Sequence, residues 1–207
     1  MELLVSTRSQ DKMVEIRRIL GDVAGLKVID LDSAGLPESD DEEGIEIYDT
    51  FEENARAKAE YFYAKVGIPT VADDSGLEVD ALGGAPGVRS KRFAPDRGLK
   101  GKALDGANND HLVERLGDLE PAKRTGRYVC AAVLVGLDQD PITIRGEAEG
   151  LILSEPQGHG GFGYDPYFFD AGLGCSFAEL TARDKNERSH RGKAFRELAQ
   201  RLGKREG

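Results

Sequence analysis

The segment from Val71 to Gly87, VADDSGLEVDALGGAPG, begins as an apolar strand and then places Asp73, Asp74 and Ser75 before a glycine. Two adjacent carboxylates repel each other, and burying either one without a partner is costly. A bound Mg²⁺ would remove both penalties, because hard cations take oxygen ligands and bind one or two carboxylates together with substrate phosphates. The alternative is an Asx turn, in which an aspartate accepts hydrogen bonds from its own backbone. The pattern therefore predicts a tight turn at a strand end, carrying either a metal site or a local cap.

Two clusters near the N-terminus offer positive charge beside a helix. Ser6, Thr7, Ser9 and Lys12 precede or open the first predicted helix, and the N–H groups at such a helix start favour anions. The alternative is that the hydroxyls only cap the helix. Glu46 and Lys58 flank the start of the second helix in the same way. Taken alone, they are equally consistent with a solvated surface.

Two further clusters lie in the C-terminal third. The loop GGFGYDP places Phe162 and Tyr164 among glycines, where aromatic rings either stack on a planar base or fold back into the core. The second cluster is predicted to precede the last helix and comprises Lys185, Ser189, His190, Arg191 and Lys193. Cations are disfavoured at a helix start unless an anion lies there. Their placement therefore indicates an anionic ligand.

Several common sites are excluded by missing motifs. The sequence contains no G-x-x-x-x-G-K-[ST] and no G-x-S-x-G, and the G-x-G of GGFGYD does not open an apolar helix. What remains is a metal-assisted site for a phosphorylated, planar ligand. From the residues alone, a hydrolase, a transferase and a simple binder all remain open.

The elements that would position these groups alternate between strands and helices. Leu3 to Val5 predict a first strand, and Met13, Ile16 and Leu20 recur at helical spacing. A second helix begins at a capping box of Thr50 and Glu53, and Gly67 ends it. The remaining predictions are strands at 70–72 and 77–81, a helix in NNDHLVERLGDL, a hairpin flanking DQDP and a C-terminal helix. This order predicts an α/β protein with a mixed sheet.

Composition narrows the class further. A chain of 207 residues suits one domain or two closely packed lobes. Its net charge of −10 argues against general nucleic-acid binding, because such proteins present basic faces. No apolar run approaches the roughly 20 residues that cross a bilayer. The N-terminus lacks a signal peptide's basic region, and only two cysteines occur, so we predict a cytoplasmic protein with no membrane partner.

Four longer motifs resemble the inosine triphosphate pyrophosphatase family, also called dITP/XTP pyrophosphatases. They are VADDSGLEVDALGGAPGVRSKRF, TFEENARAKA, GGFGYDPYF and SHRGKAF, and their order and spacing match the family from the first strand to the last helix. The resemblance implies one ITPase-like domain over residues 1–207, with a long mixed sheet flanked by helices and two lobes around an active-site cleft. It also implies a homodimer. The implied activity is Mg²⁺-dependent hydrolysis of ITP, dITP and XTP to the monophosphate and pyrophosphate, which clears these nucleotides from the cellular pool.

The resemblance also implies roles for individual positions. Asp74 matches the catalytic base, and the implied metal ligands are Glu46, Asp73 and Asp74. The implied substrate contacts are Thr7, Arg8, Ser9, Gln10, Asp11, Lys12, Lys58, Ser75, Phe162, Gly163, Tyr164, Asp165, Lys185, His190 and Arg191. In that set the three lysines match positions near the triphosphate, whereas Phe162 to Asp165 and His190–Arg191 match the pocket around the base.

Two positions depart from the family pattern. The first loop usually reads T-G-N-x-x-K, but Arg8 and Ser9 stand here in place of the glycine and the asparagine. The acidic pair before the second helix is reduced to Glu46 followed by Ile47. Two other functions stay open beside the implied one: a related pyrophosphatase with another preference, such as modified pyrimidines, and a nucleotide sensor without turnover.

Overall fold

The computed structural model describes residues 1–204. Within that range the chain forms one seven-stranded sheet in the order β2-β1-β3-β4-β5-β6-β7. β1 pairs in parallel with both β2 and β3, whereas β5–β6 and β6–β7 are antiparallel. The sheet is therefore mixed, as the alternation of predicted strands and helices indicated.

The element bounds are as follows. The strands are β1 (Glu2–Val5), β2 (Lys27–Asp30), β3 (Thr70–Val79), β4 (Thr125–Val135), β5 (Ile142–Ile152), β6 (Phe168–Asp170) and β7 (Cys175–Ser176). The α-helices are α1 (Gln10–Leu20), α2 (Phe51–Val66), α3 (Gly101–Leu116), α4 (Ala182–Arg188) and α5 (His190–Gly203). No helix among residues 1–204 is both long enough and apolar enough to span a membrane.

The chain divides into two compact units. Unit 1 comprises Met1–Asp74, Cys130–Gly146 and His190–Gly207, and its structure is described as far as residue 204; unit 2 comprises Ser75–Val129 and Glu147–Ser189. The predicted single domain of two lobes, with its cleft, stays a prediction.

The core of unit 1 follows from helical and strand periodicity. Leu3 and Val5 of β1 are fully buried against Ile16 of α1 and against Phe195 and Leu198 of α5. Thr50 caps α2, since its hydroxyl accepts a hydrogen bond from the Glu53 N–H at 3.2 Å and donates one to the Glu53 carboxylate at 2.7 Å. Gly67 ends the helix in a left-handed conformation at φ 66°. The predicted bounds of α2 are confirmed.

The core of unit 2 is aromatic. Tyr128 of β4 and Phe168 of β6 pack with ring centroids 4.6 Å apart, and Phe177 lies 4.8 Å from Phe168. Leu77 of β3 and Leu112 of α3 complete this cluster and are fully buried. These contacts hold α3 and the segment around Phe177 against β3, β4 and β6 of the same unit.

The predicted turn at Asp73–Gly76 is wrong, because β3 runs unbroken from Thr70 to Val79. Successive side chains in a strand project to opposite faces, so Asp73 and Asp74 point away from each other. Pairing along the strand outweighs the turn preference of Asp, Ser and Gly. The repulsion between the two acids is thus relieved by the backbone geometry.

The predicted start of α3 is also wrong. Periodicity placed that helix from Asn108 onwards, but it begins at Gly101. Gly101 and Gly106 are poor helix formers, so the glycine-rich composition of the first two turns concealed the helix.

Candidate active site

Asp73 is the centre of a buried charge network in unit 1. Its Oδ2 lies 2.9 Å from the Lys12 ammonium and 3.3 Å from Nε of Arg191. Arg191 also pairs with Glu15. Burial alone would raise the pKa of Asp73, but the charges of Lys12 and Arg191 lower it far below its ordinary value. At least one oxygen of this predicted metal ligand is therefore engaged by protein cations.

Asp74 lies in a different environment. Asn54 of α2 donates a hydrogen bond to Asp74 Oδ2 at 3.0 Å. Burial raises the pKa of Asp74, and the positive charges of Lys12 and Lys58 oppose that rise only in part. Asp74 is therefore a better proton acceptor than an exposed aspartate, which is what a general base requires.

Asn54 is a site residue that sequence reasoning did not single out. Its side chain is 1% exposed, and it accepts from the Tyr48 N–H at 2.9 Å and donates to the Tyr48 carbonyl at 3.1 Å. The same amide thus fixes Asp74 and the segment that follows Glu46. The signal was available, since position 54 falls one turn after Phe51 on the apolar face of α2. A buried amide on such a face needs partners.

Lys58 links Glu46, one of the predicted metal ligands, to β3. Its ammonium pairs with Glu46 and donates to the Asp73 carbonyl at 2.7 Å. Burial lowers the pKa of Lys58, but the carboxylates of Glu46 and Asp73 outweigh it, so the pKa is raised. Both lysines predicted near the triphosphate in this unit, Lys12 and Lys58, are therefore held in fixed positions by carboxylates or carbonyls.

The loop that opens α1 carries six of the predicted substrate contacts. The Ser9 hydroxyl caps the helix by accepting from the Lys12 N–H at 3.4 Å, and the Thr7 hydroxyl accepts from the Ser9 N–H at 3.2 Å. Gln10 and Asp11 are exposed in the first turn. The capping alternative thus holds for Ser9, and it leaves anion binding open.

Arg8 binds protein atoms. Its guanidinium donates to the Glu42 carboxylate at 2.6 and 3.0 Å and to the Leu36 carbonyl at 2.9 Å. It therefore tethers the acidic segment 36–42 to the loop before α1. Its predicted contact with substrate stays a prediction.

The cation cluster near the C-terminus divides between two helices. His190 and Arg191 are buried in the first turn of α5, whereas Lys185 lies in α4. Gly146 of β5 lets α5 approach, because a Cβ atom there would lie 2.2 Å from the His190 carbonyl oxygen. The sequence indicated an anionic ligand at this helix start. Asp73 and Glu15 supply the negative charge at Arg191, so an external ligand is not needed to explain the position of Arg191.

Unit 2 brings Lys185, which was predicted near the triphosphate, together with Asp165 and Phe162 of the predicted base pocket. The Lys185 ammonium lies 2.7 Å from Asp165 Oδ2 and 4.4 Å from the centroid of the Phe162 ring. The same Asp165 oxygen accepts from the Phe162 N–H at 2.8 Å. Phe162 is half-buried, so its ring remains partly accessible. Asp165 thus holds both the lysine and the aromatic ring beside it.

The remaining predicted contacts in unit 2 are Ser75, Gly163 and Tyr164, which differ in exposure, and Gly163 is half-buried. Tyr164 is 4% exposed, and its hydroxyl donates to the Ser90 carbonyl at 2.7 Å. Inward packing, the alternative to base stacking, therefore holds for Tyr164. Ser75 follows Asp74 in β3 and is half-buried.

The carboxylates of unit 1 suit a divalent cation only if a bound substrate supplies further oxygen ligands. Among residues 1–204, no group of three or more His, Cys, Asp or Glu side chains is arranged to hold a metal ion. Glu46 and Asp74 interact electrostatically, so they offer two carboxylates in one neighbourhood. Mg²⁺ commonly uses one or two carboxylates and completes its shell with waters and substrate phosphates. The residues therefore fit magnesium held jointly with a phosphorylated substrate.

Comparison with known proteins gives matches over nearly the whole chain. A model of the Ham1 family matches residues 3–201. The chain is 45% identical over 199 residues to the dITP/XTP pyrophosphatase of Frankia alni, with 96% of each chain covered. It is 43% identical over 202 residues to the protein of the same name from Exiguobacterium sibiricum, covering 96% of this chain and 95% of the other.

Solved structures agree with these matches. A HAM1 protein from Coxiella burnetii superposes with a TM-score of 0.85 at 32% identity, covering 99% of both chains. A structure from Mycobacterium abscessus, described as a nucleoside-triphosphatase and dITP/XTP pyrophosphatase, gives a TM-score of 0.74 at 37% identity, covering 96% of this chain and 98% of the other. The predicted fold class, a mixed sheet flanked by helices, is confirmed.

Proposed function

The chain belongs to the Ham1 family, and on that premise we propose that it hydrolyses dITP, XTP and ITP to the nucleoside monophosphate and pyrophosphate. One observation carries the proposal. Two carboxylates, Glu46 and Asp74, share a neighbourhood in unit 1 with the ammonium groups of Lys12 and Lys58. Such a set supplies a base and a positive field, which hydrolysis of a phosphoanhydride requires.

Asp74 acts as the general base. Its carboxylate accepts the proton of a water molecule as the water oxygen bonds to the α-phosphorus. The bond between that phosphorus and the bridging oxygen breaks, and pyrophosphate leaves with the electron pair. Asn54 holds the carboxylate in one orientation for this step through its hydrogen bond to Oδ2.

Lys12 and Lys58 stabilise the negative charge that grows on the leaving group. Because their ammonium groups are already fixed by Asp73 and Glu46, little reorganisation is needed when that charge develops. A magnesium ion held by Glu46 and Asp74 would reduce the charge of the triphosphate and acidify the attacking water. The preference for magnesium is part of the proposal.

Base selection is assigned to the residues around Phe162. Hypoxanthine and xanthine carry a carbonyl at position 6, where adenine carries an amino group. Hydrogen-bond donors facing that position donate to the carbonyl oxygen. An adenine amino group placed there is itself a donor and stays unmatched, which rejects ATP. In this account Phe162 stacks on the base, and Lys185, fixed by Asp165, lies beside the ring.

We further propose that the protein is a cytoplasmic homodimer that clears deaminated purine nucleotides from the pool. The support is the sequence resemblance. Neither Asp73 as a metal ligand nor the contacts from Thr7 to Asp11, Ser75, Gly163, Tyr164, His190 and Arg191 is needed for the chemistry above. Those roles stay predictions.

A substrate panel tests the function. We expect pyrophosphate release from dITP, XTP and ITP in the presence of Mg²⁺, with kcat/KM at least about 100-fold lower for ATP because its 6-amino group leaves hydrogen-bond donors unmatched. GTP, which keeps the carbonyl at position 6, reports separately on discrimination at position 2. Chelation with EDTA should abolish turnover, and added Mg²⁺ should restore it. Preference for a modified pyrimidine triphosphate would indicate the related pyrophosphatase, and binding without turnover would indicate a sensor. Equal hydrolysis of ATP and dITP would contradict the proposal.

A further inference from the structure

Three successive peptide groups around Phe162 are each held by a different side chain. The Phe162 N–H donates to Asp165 Oδ2 at 2.8 Å, and the Gly163 N–H donates to Asp105 Oδ2 at 3.1 Å. The Gly163 carbonyl accepts from Asn109 Nδ2 at 3.0 Å. The backbone that carries the Phe162 ring is therefore fixed on both sides of that residue.

Two of these three anchors come from one face of α3. Asp105 and Asn109 are four residues apart, which places them one above the other on the helix surface. Asn109 is 6% exposed and Asp105 is half-buried. Asp105 accepts a hydrogen bond from the N–H of Gly163, and Asn109 donates one to the Gly163 carbonyl. The two side chains therefore bind both backbone polar groups of a single residue.

The loop around Phe162 has a backbone conformation that depends on glycine. Gly161 and Gly163 adopt positive φ values of 70° and 62°, a region that residues with a Cβ atom rarely occupy. A Cβ atom at Gly161 would lie 2.1 Å from Asp165 Oδ2. Glycines make this path possible, but they also leave the loop free to take others. The hydrogen bonds from Asp105 and Asn109 therefore stabilise one of the backbone conformations that the loop could adopt.

We propose that Asp105 and Asn109 are specificity-determining positioning residues, which set the place of the Phe162 ring and thereby the choice of base. This inference rests on the proposed function, because it requires that the Phe162 loop receives the base. The two residues act through Gly163 and do not touch the substrate. Hydrogen-bond discrimination between bases depends on placement to within a fraction of an ångström, so a loosened loop should admit a wrong base more readily.

The neighbouring residue Asn108 offers a matched control. It lies on the same helix, is 3% exposed and is equally polar. Its side chain accepts from the N–H groups of Phe93 and Ala94 at 3.1 and 2.9 Å and donates to the Lys91 carbonyl at 3.2 Å. It thus holds a different loop with the same chemistry. Removing it disturbs α3 without releasing Gly163.

The experiment compares Asp105→Ala, Asn109→Ala, Asn108→Ala and Asp105→Asn in the full chain. For the first two, we expect KM for dITP to rise about fivefold to tenfold with kcat within about twofold, since binding rather than chemistry is affected. The ratio of kcat/KM for dITP over dGTP should fall by about tenfold. Asp105→Asn keeps an oxygen acceptor for the Gly163 N–H and should restore both quantities to within about twofold of the wild type.

Asn108→Ala should lower the melting temperature while keeping the dITP to dGTP ratio of the wild type. The inference is overturned if Asp105→Ala, which is half-buried and should fold, leaves KM and the ratio unchanged. It is equally overturned if Asn108→Ala shifts the ratio as far as Asn109→Ala does.

Failure of the proposed function is distinguishable from failure of this inference. If the wild type turns over dITP and the α3 variants match it, only the inference fails. If the wild type binds dITP without turnover, the proposed activity fails, and the dITP to dGTP ratio of dissociation constants, measured by calorimetry, tests the α3 residues in its place. If the wild type neither binds nor hydrolyses dITP, both are overturned.

Discussion

Replacing Asp74 with asparagine should lower kcat for dITP by about three orders of magnitude, because the amide that replaces the carboxylate cannot accept the proton of the attacking water. Asparagine has the same shape and keeps an oxygen that can accept the hydrogen bond from Asn54. Burial already disfavours the charged form of Asp74, as its raised pKa indicates, so removing that charge should not weaken the fold. The measurements are pyrophosphate release and the melting temperature of the variant.

A graded control separates the carboxylate from its positioning. Asn54→Ala removes the hydrogen bond to Asp74 Oδ2 and the contacts with Tyr48, but it leaves the carboxylate in place. We expect a smaller fall in kcat, on the order of tenfold, together with some loss of stability. Normal dITP hydrolysis by a well-folded Asp74→Asn protein would show that Asp74 is not the base.

Replacing Asp73 with asparagine should cost about 3–5 kcal/mol of unfolding free energy, the usual range when one partner of a buried ion pair is removed. The Asp73 side chain is inaccessible to solvent, and its Oδ2 faces Lys12 and Arg191. Without the carboxylate charge, both cations are left buried beside each other. The loss is measured by urea unfolding in the presence of EDTA, so that metal binding does not contribute.

An exposed ion pair provides the comparison for this variant. Glu60 pairs with Arg56 one turn away on the surface of α2, and both side chains are about half exposed. Glu60→Gln should change the unfolding free energy by less than about 0.5 kcal/mol. If Asp73→Asn is as stable as the wild type, the ion pairs of Asp73 do not stabilise unit 1. The Asp73 carboxylate is then better explained as a ligand for a bound cation.

Local sequence signals predicted the elements whose structure is decided locally. The Thr50 capping box, the glycine at position 67 and the apolar face of Phe51, Ala55, Ala59 and Phe62 defined α2 correctly. The buried face of α5, with Phe195, Leu198 and Leu202, was also predicted correctly. In both helices the residues that set the bounds lie within a few positions of each other.

Errors arose where distant residues decide the outcome. Asp73 lies within a strand because Arg191, 118 residues away, and Lys12 stabilise its charge there. No local pattern around residue 73 contains that information, and Asp, Ser and Gly favour a turn when considered alone. In the same way, the positive charge at the start of α5 was interpreted as evidence for a ligand. The carboxylates that neutralise Arg191 come from α1 and β3, which are distant in sequence, so no local pattern revealed them.

The candidate site was predictable at the level of the family. Four motifs in register predicted both the resemblance and the enzyme class, and both predictions are confirmed by the match over residues 3–201 and by relatives at 41–45% identity. The anchoring roles of Asn54, Asp105 and Asn109 were not predicted. The sequence does place Asn54 on the apolar face of α2, where a buried amide needs partners. Which partners it finds, and those of Asp105 and Asn109, depends on segments whose path only the folded chain defines.

The central claim is that water attacks the α-phosphorus of a deaminated purine triphosphate. Hydrolysis of dITP in water enriched in oxygen-18, followed by mass spectrometry of the products, tests this claim most directly. We expect one labelled oxygen in dIMP and none in the pyrophosphate. Label in the pyrophosphate, or orthophosphate and dIDP as the first products, would contradict the account.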